Sequence, residues 1–597
     1  MFGIVDFIIF FLTIFVSFCI GLFFAVWERN RNTTVDYFLA GRKSSTLPVA
    51  LSFVVSFQSS LLVLGFPAEG YAYGVGIAYY AVGIFIAYSV AAVVIVPVFY
   101  PLKLLSVYEY FNLRYGNNIL RYLTLAFGMV YTIFYMATVT VGTCVALQVV
   151  MGIPPWGTIL LYTMVTAVYT SIGGIKAVIW TDVFQLIIML AGMIAVLVKS
   201  TIDTGGSESV MKYAKERFDA TDFRFDPTIR YQFWNVSVGT ISAVLYMTLT
   251  QPAMQRVYCV SSAKQASILY FVATPFYILL TLIAVFEGPV LFGYFSGKGC
   301  DVLEAGIINN MNAIVPFAVL DLFRNQPGLA GLFTASLSSA AFSTLSSCLS
   351  SLSAVTYEDI IKVNFPQMKP LKATRISKTI VLLYGILSMV ISFAILHIPG
   401  SISVIFNSFM GCMDGPLCAI FLMSLLCRRA TTKGMSIGLI LGCALVFWIN
   451  VGGNFTKLDP YPYLPPGPTD QCHIYQNKLA VYPSTSNNDV FNTSITSQLA
   501  TMTRGEVTTT TGTLRNPSSL QKFYSISYIL YSLIGFLSTT FIGYAISLCT
   551  EKQADLDERC IFSFKKHVMD KFFVSKKNSG AHLQCDTATS EEESKFL

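Results

Sequence analysis

The chain has little charge: only 12% of its 597 residues are Asp, Glu, Lys or Arg, about half the share of an ordinary soluble domain. That excludes a solvated surface over most of the molecule. It lacks a glycine-rich phosphate loop with a following Lys, so ATP is not expected to supply its energy. Histidine is scarce and scattered (His397, His473, His567, His582), and no Cys/His spacing suits a bound metal. No Ser stands in a nucleophile-elbow motif. An enzyme is therefore not expected.

What the chain does have is apolar length. Hydrophobic residues make up 54% of it, and the mean hydropathy is +0.63. They fall in thirteen blocks near the roughly 20 residues that cross a bilayer: 5–27, 47–66, 77–100, 124–150, 157–172, 180–199, 234–252, 268–292, 328–357, 379–396, 400–427, 434–452 and 523–549. Backbone groups in hydrocarbon must bond within their own segment, so the blocks predict helices and an all-α polytopic membrane protein. The first is too long, and too poor in a cleavage site, for a removable signal peptide.

Lys and Arg set the expected orientation. With the N-terminus outside, the inner segments collect Arg29, Arg31, Arg42, Lys43, Lys103, Arg114, Arg121, Lys176, Arg256, Lys264, the run Lys362 to Lys378, and Arg428, Arg429 and Lys433. The short outer loops 67–76, 151–156 and 397–399 hold none. The tail 550–597 is then cytoplasmic, and the net charge of +7 is topological, with no nucleic-acid partner expected. Asn454 and Asn492 head glycosylation sequons in the long outer loop 453–522, which is rich in Pro, Ser and Thr. Cys300 and Cys472 are the two cysteines expected in outer loops. A disulfide between them is one expectation, two free thiols the other.

Polarity inside the spans marks where chemistry could sit. The second span carries Ser56, Gln58, Ser59 and Ser60 near its middle, with Gly65 and Pro67 beyond. Such a cluster is tolerated where the helix is unwound and lines a cavity, and unwound carbonyls are good sodium ligands. The seventh span repeats the pattern with Thr248, Thr250, Gln251 and Pro252. Two interrupted helices five spans apart suggest two inverted five-helix repeats. The ninth span places eleven Ser/Thr hydroxyls between Thr334 and Ser353, with Ser336, Ser339, Ser343, Ser346, Ser350 and Ser353 on one stripe. The stripe suits either a small hard cation or close helix packing with interhelical hydrogen bonds. Three carboxylates lie in or at the rim of spans. Asp182 follows Thr181 and could cap a helix or serve function; Glu287, before Gly288-Pro289, reads as structural; Asp414 stands beside a Gly-Pro break.

Several runs resemble the sodium/solute symporter family: Tyr169 to Gln185 (YTSIGGIKAVIWTDVFQ), Val107 to Gly116, Ser52 to Gly74, the PGLAGLF and AVTYEDIIK runs flanking the hydroxyl-rich helix, and KFYSISYILYS at the last span. They cover nearly the whole chain in order. Within the family the chain is most similar to the branch of sodium-coupled monocarboxylate, multivitamin and iodide transporters. The resemblance implies a LeuT-like core of inverted repeats, 47–199 and 234–452. Around it stand an extra N-terminal helix and loop (1–46), an outer loop (200–233), a glycosylated loop (453–522), a last helix (523–549) and the tail. It implies a sodium site made by the carbonyls of Val55, Gln58 and Ala340 and the hydroxyls of Ser343 and Thr344, with Asp182 at an exit path or second cation site and Asp414 as another cation candidate. Ser56, Ser59, Leu62, Val141, Thr250 and Gln251 are the solute-path candidates.

The chain departs from the branch at Val141 to Cys144, where Tyr-Ala-Pro-Ala is usual, and at Asp414, where a Gly is usual. Leu62 replaces the Gln of iodide carriers, which argues against iodide, while Gln58 resembles the multivitamin members. The function implied is a plasma-membrane symporter carrying sodium with a small organic solute, a monocarboxylate or carboxylated vitamin. The alternative is a non-transporting sodium- or solute-gated sensor or leak channel of the same fold.

Overall fold

Apolar blocks become helices, and their polar interruptions decide where those helices bend. The computed structural model describes residues 2–27, 34–219, 222–308, 310–397, 402–456, 464–475, 519–550 and 557–563. The main helices are α1 (Ile4–Trp27), α2 (Thr46–Phe57), α3 (Ser60–Tyr73), α4 (Val75–Leu102, with a 3-10 start and a π turn), α5 (Asn118–Met151), α6 (Pro155–Asp203), α7 (Phe233–Leu249), α8 (Gln251–Val257), α9 (Ala263–Gly297), α10 (Leu329–Val355), α11 (Pro370–Leu396), α12 (Ile402–Leu426), α13 (Thr432–Thr456) and α14 (Tyr531–Cys549). Among the described residues ten helices are long and apolar enough to cross a membrane, or eleven when α2 and α3 count as one bent span. Large apolar side chains such as Phe15, Phe23 and Ile187 stay exposed on α1 and α6, as a lipid-facing surface requires.

Three breaks organise the bundle. The α2–α3 pair bends by 59° at Gln58 and Ser59, inside the polar cluster of the second span. The chain breaks again at Thr250, whose ψ of 155° is extended, between α7 and α8. The third break lies in α6, whose 49 residues would measure about 74 Å if straight, over twice a hydrocarbon core of about 30 Å. Gly174 interrupts it at φ 63°, ψ −167°, between two blocks expected to be separate spans. A side chain there would be strained by φ and would meet Tyr37 at 2.9 Å.

Some boundaries differ from expectation. The last span begins at Tyr528, in a 3-10 turn, and not at 523; residues 519–524 form a separate short helix packed on α13. α12 runs on through Pro416 without interruption, so the expected Gly-Pro break is absent. Gly415 instead lets α12 meet α14, since a Cβ there would lie 1.8 Å from the Ser532 carbonyl. α13 extends to Thr456 and takes the backbone of Asn454 into its last turn; Asn492 lies outside the described residues. Cys300 and Cys472 are joined in a disulfide, which with Asp301 N–H to the Pro468 carbonyl (2.7 Å) and Gln471 N–H to the Gly299 carbonyl (3.0 Å) clamps residues 464–475 onto the end of α9.

α10 sits at the centre. It packs most extensively on α6, and also on α1, α2, α5, α8 and α11. Asp6 of α1 anchors its start, accepting from the N–H groups of Gly328 (2.8 Å) and Gly331 (2.9 Å), where a helix N-terminus favours negative charge. Nearly every residue of α10 is buried, so its hydroxyl stripe meets protein and not lipid.

Candidate functional site

The hydroxyl stripe divides residue by residue. Ser336 donates to the Met189 carbonyl (3.0 Å), Ser353 to the Ser377 carbonyl (2.8 Å), and Ser338 shares a bond with Tyr162. Those hydroxyls join helices, as the packing reading has it. Ser343 and Thr344 do something different, because they face the break in the second span. The last carbonyls of a helix have no intrahelical partner, and α2 ends at Phe57. Ser343 Oγ lies 3.1 Å from the Val55 carbonyl and 3.0 Å from that of Ala340. Thr344 Oγ1 lies 3.1 Å from the carbonyls of both Ser56 and Ala340. Five uncharged oxygens therefore converge, with carboxylates outside the cluster.

Of the expected ligands, Val55, Ala340, Ser343 and Thr344 come together. Gln58 joins through its N–H, 3.2 Å from the Val55 carbonyl, while its side-chain amide reaches α9 at Tyr277 O and Thr281 Oγ1, both 3.4 Å. The Ser56 carbonyl also enters the oxygen cluster, 3.1 Å from Thr344 Oγ1. Ser56 was singled out for the solute path, and its backbone role was not foreseen.

Asp182 does not cap a helix: other side chains hold its Oδ2, while its Oδ1 has no hydrogen-bond partner among the described residues. Asp182 lies inside α6, fully buried, 2.8 Å from Arg256 of α8 and 2.6 Å from Ser52 Oγ of α2, with Ser56 Oγ at 3.2 Å. Arg256 also donates to Ser52 Oγ (2.9 Å), Ser347 Oγ (2.5 Å) and the Pro252 carbonyl (3.0 Å). This network lies one turn from Ser343 and Thr344 and shares Ser56 with them. Arg256 was missed as a site residue: it read only as inner-side charge. The break at Thr250 turns its segment inward.

Beside the break lies a cavity of about 220 Å³. Of the solute-path candidates, Ser56, Ser59, Leu62 and Thr250 line it, and so does Asp414. Two do not. Val141 is packed with Ala137 and Ile395 in a separate apolar cluster. The Gln251 amide is spent on the backbone of the segment before the Glu109 helix, accepting from Val107 N–H (2.8 Å) and donating to the Leu105 carbonyl (2.7 Å). The sequence also failed to single out the tyrosines of this wall, Tyr80, Tyr131, Tyr135, Tyr231, Tyr277 and Tyr528, and a further carboxylate, Glu69. Glu69 lies past the expected end of the second span, and tyrosine in spans reads as packing. A simple anion about 4 Å from an ionised Asp414 would be repelled by about 4 kcal/mol at an effective dielectric constant near 20. Glu287 is buried, and neither of its carboxyl oxygens has a hydrogen-bond partner among the described residues.

A bundle with broken helices around a buried polar centre and a solute-sized cavity defines a multi-pass membrane carrier. The chain belongs to the sodium:solute symporter family, whose family model matches residues 37–442. It is a transporter rather than an enzyme, and sodium is its co-transported ion. It is 32% identical to human sodium-coupled monocarboxylate transporter 2, over 93% of this chain and 85% of that protein. Mouse sodium-coupled monocarboxylate transporter 1 is 31% identical over 96% of this chain and 92% of its own length. The human sodium/iodide cotransporter is 32% identical over 92% of this chain and 84% of its own length. Among solved structures, a substrate-bound, outward-open Na+-coupled sialic acid symporter superposes with a TM-score of 0.70 at 20% identity, covering 93% of this chain and all of that one. The shared fold is LeuT-like.

Proposed function

We propose that the chain imports a small organic solute, of the monocarboxylate or carboxylated-vitamin kind, with sodium across the plasma membrane. One observation carries this reading: two hydroxyls of α10 meet backbone carbonyls at the end of α2, where the second span breaks. Sodium held by Val55, Ser56, Ala340, Ser343 and Thr344 would tie the second span to the ninth and favour one orientation of the carrier. Asp182, paired with Arg256, would lie on the exit route. Each sodium entering adds about 2.3 kcal/mol per 100 mV of membrane potential.

The proposed topology has thirteen spans, N-terminus outside and C-terminus inside. The two halves of α6 count separately, and α7 with α8 makes one broken span too short to register alone. The breaks at Gln58 and Thr250 support inverted repeats at 47–199 and 234–452. Ser343→Ala and Thr344→Ala are each expected to weaken sodium activation of uptake about tenfold or more, the equivalent of one hydrogen bond or ligand near 1.4 kcal/mol, with surface expression kept. Labelled-solute uptake into proteoliposomes at graded sodium measures this. Unchanged sodium dependence in both variants removes the assignment, and sodium currents without accumulation would indicate a sensor or leak channel.

A further inference from the structure

The cavity carries a charge pattern that sodium binding does not use. Two carboxylates line it, Asp414 and Glu69, with no Lys, Arg or His among its lining residues. Glu69 has its own company: the Tyr231 phenol lines the same cavity wall, and Arg230 lies within electrostatic range. Arg230 in turn sits over the rings of Tyr73 and Tyr528, 5.4 and 5.0 Å from their centroids. Among the described residues Asp414 has no such cation beside it. It is 7% exposed, and its Oδ1 has no hydrogen-bond partner among the described residues. The groups in electrostatic range of it include the phenols of Tyr131, Tyr80 and Tyr246, and Tyr80 and Tyr131 share its cavity wall.

A carboxylate set among aromatic rings, in a space large enough for a solute, is suited to an ammonium group. Ring faces attract a cation through their quadrupole, and a buried charge is tolerated once it is paired. Tyr80, Tyr131, Tyr135 and Tyr277 supply the rings. The break in the second span has the opposite preference: Ser59 lines the same cavity and caps the start of α3, where helix polarity favours an anion.

We infer that the transported solute is a carboxylate that also carries a positively charged nitrogen, the nitrogen paired with Asp414 beside Tyr80 and Tyr131 and the carboxylate directed towards Ser59. This rests on the symport reading and narrows its substrate class to zwitterions of the amino- or trimethylammonio-carboxylate type. It also gives the departure at Asp414 a purpose, since a simple monocarboxylate has nothing to pair with that side chain.

The test uses the full-length chain in proteoliposomes with an inward sodium gradient and three probes of one chain length: butanoate, 4-aminobutanoate and 4-trimethylammoniobutanoate. At least one nitrogen-bearing probe is expected to be taken up at least tenfold more effectively than butanoate. Asp414→Asn should cut that preference at least tenfold, while Asp414→Glu retains it. The sodium-induced rise in melting temperature, which reads the Ser343–Thr344 cluster, should persist in both. Equal or greater uptake of butanoate by the unaltered protein, uptake of none of the three, or an undiminished preference in Asp414→Asn overturns the inference. The comparison on the unaltered protein stands even if a variant fails to fold. Sodium-driven butanoate uptake without preference sinks the zwitterion alone, whereas no sodium effect on any probe or on melting sinks the symport reading beneath it.

Discussion

At the residue scale the buried pair Asp182–Arg256 is the most exacting contact in the molecule, since both side chains are fully enclosed. Removing one partner leaves an uncompensated charge and costs about 3–5 kcal/mol, whereas replacing both with neutral groups of similar size is often tolerated. Arg256→Met is therefore expected to lower the melting temperature sharply in detergent, and Asp182→Asn/Arg256→Met to recover much of the loss. A double variant no better than the single would show that the pair is not the source of the effect. Ser52, Ser56 and Ser347 bind the same two side chains, so the pair also fixes the position of the broken span relative to α10. Asp182 was legible as a polar residue in a span. Its partner was not, because nothing local distinguishes Arg256 from the other inner-side cations.

At the scale of elements, the bends carry the architecture. Gly174→Ala places a Cβ at positive φ and within 2.9 Å of Tyr37. A loss of about 1–2 kcal/mol from the backbone alone is expected, with more from displacing Tyr37, read as a lower midpoint in thermal unfolding. On the other side of the bundle, Gly434, Gly438 and Gly442 of α13 approach Gly543 and Thr539 of α14 so closely that a Cβ at any of them would fall within about 2–3 Å of α14 atoms, the small-residue packing that membrane helices use in place of a hydrophobic drive. The two broken spans were foreseen from runs of Ser, Thr, Gln and Pro, since those residues cannot face lipid unsupported. The start of the last span was not, because apolar Phe523 and Tyr524 suit a span equally well and only their packing on α13 assigns them to a separate helix.

For the whole molecule, ligand linkage gives a direct reading. Sodium that binds only the folded carrier should stabilise it by about 2.7 kcal/mol at a hundredfold excess over its dissociation constant. Melting temperature should therefore rise with sodium but not with an equal concentration of choline, and Ser343→Ala should reduce the rise. The disulfide between Cys300 and Cys472 spans 172 residues and holds the 464–475 segment over the end of α9. Cys472→Ser is expected to cost about 2–5 kcal/mol. Peptide mapping of the intact protein with and without reductant checks the bond.

Local pattern alone determined that this chain is helical and membrane-spanning, that its second and seventh spans are interrupted, and that the ninth carries hydroxyls, because solvation in lipid constrains each segment separately. The tertiary structure decided which of those hydroxyls meets a carbonyl of the broken span, that the Ser56 carbonyl is one of them, that Arg256 turns inward to Asp182, and that tyrosines from distant spans form one wall with Asp414. Ser343 and Val55 are 288 residues apart, and periodicity carries no information over such a distance. Only the packing of the bundle does.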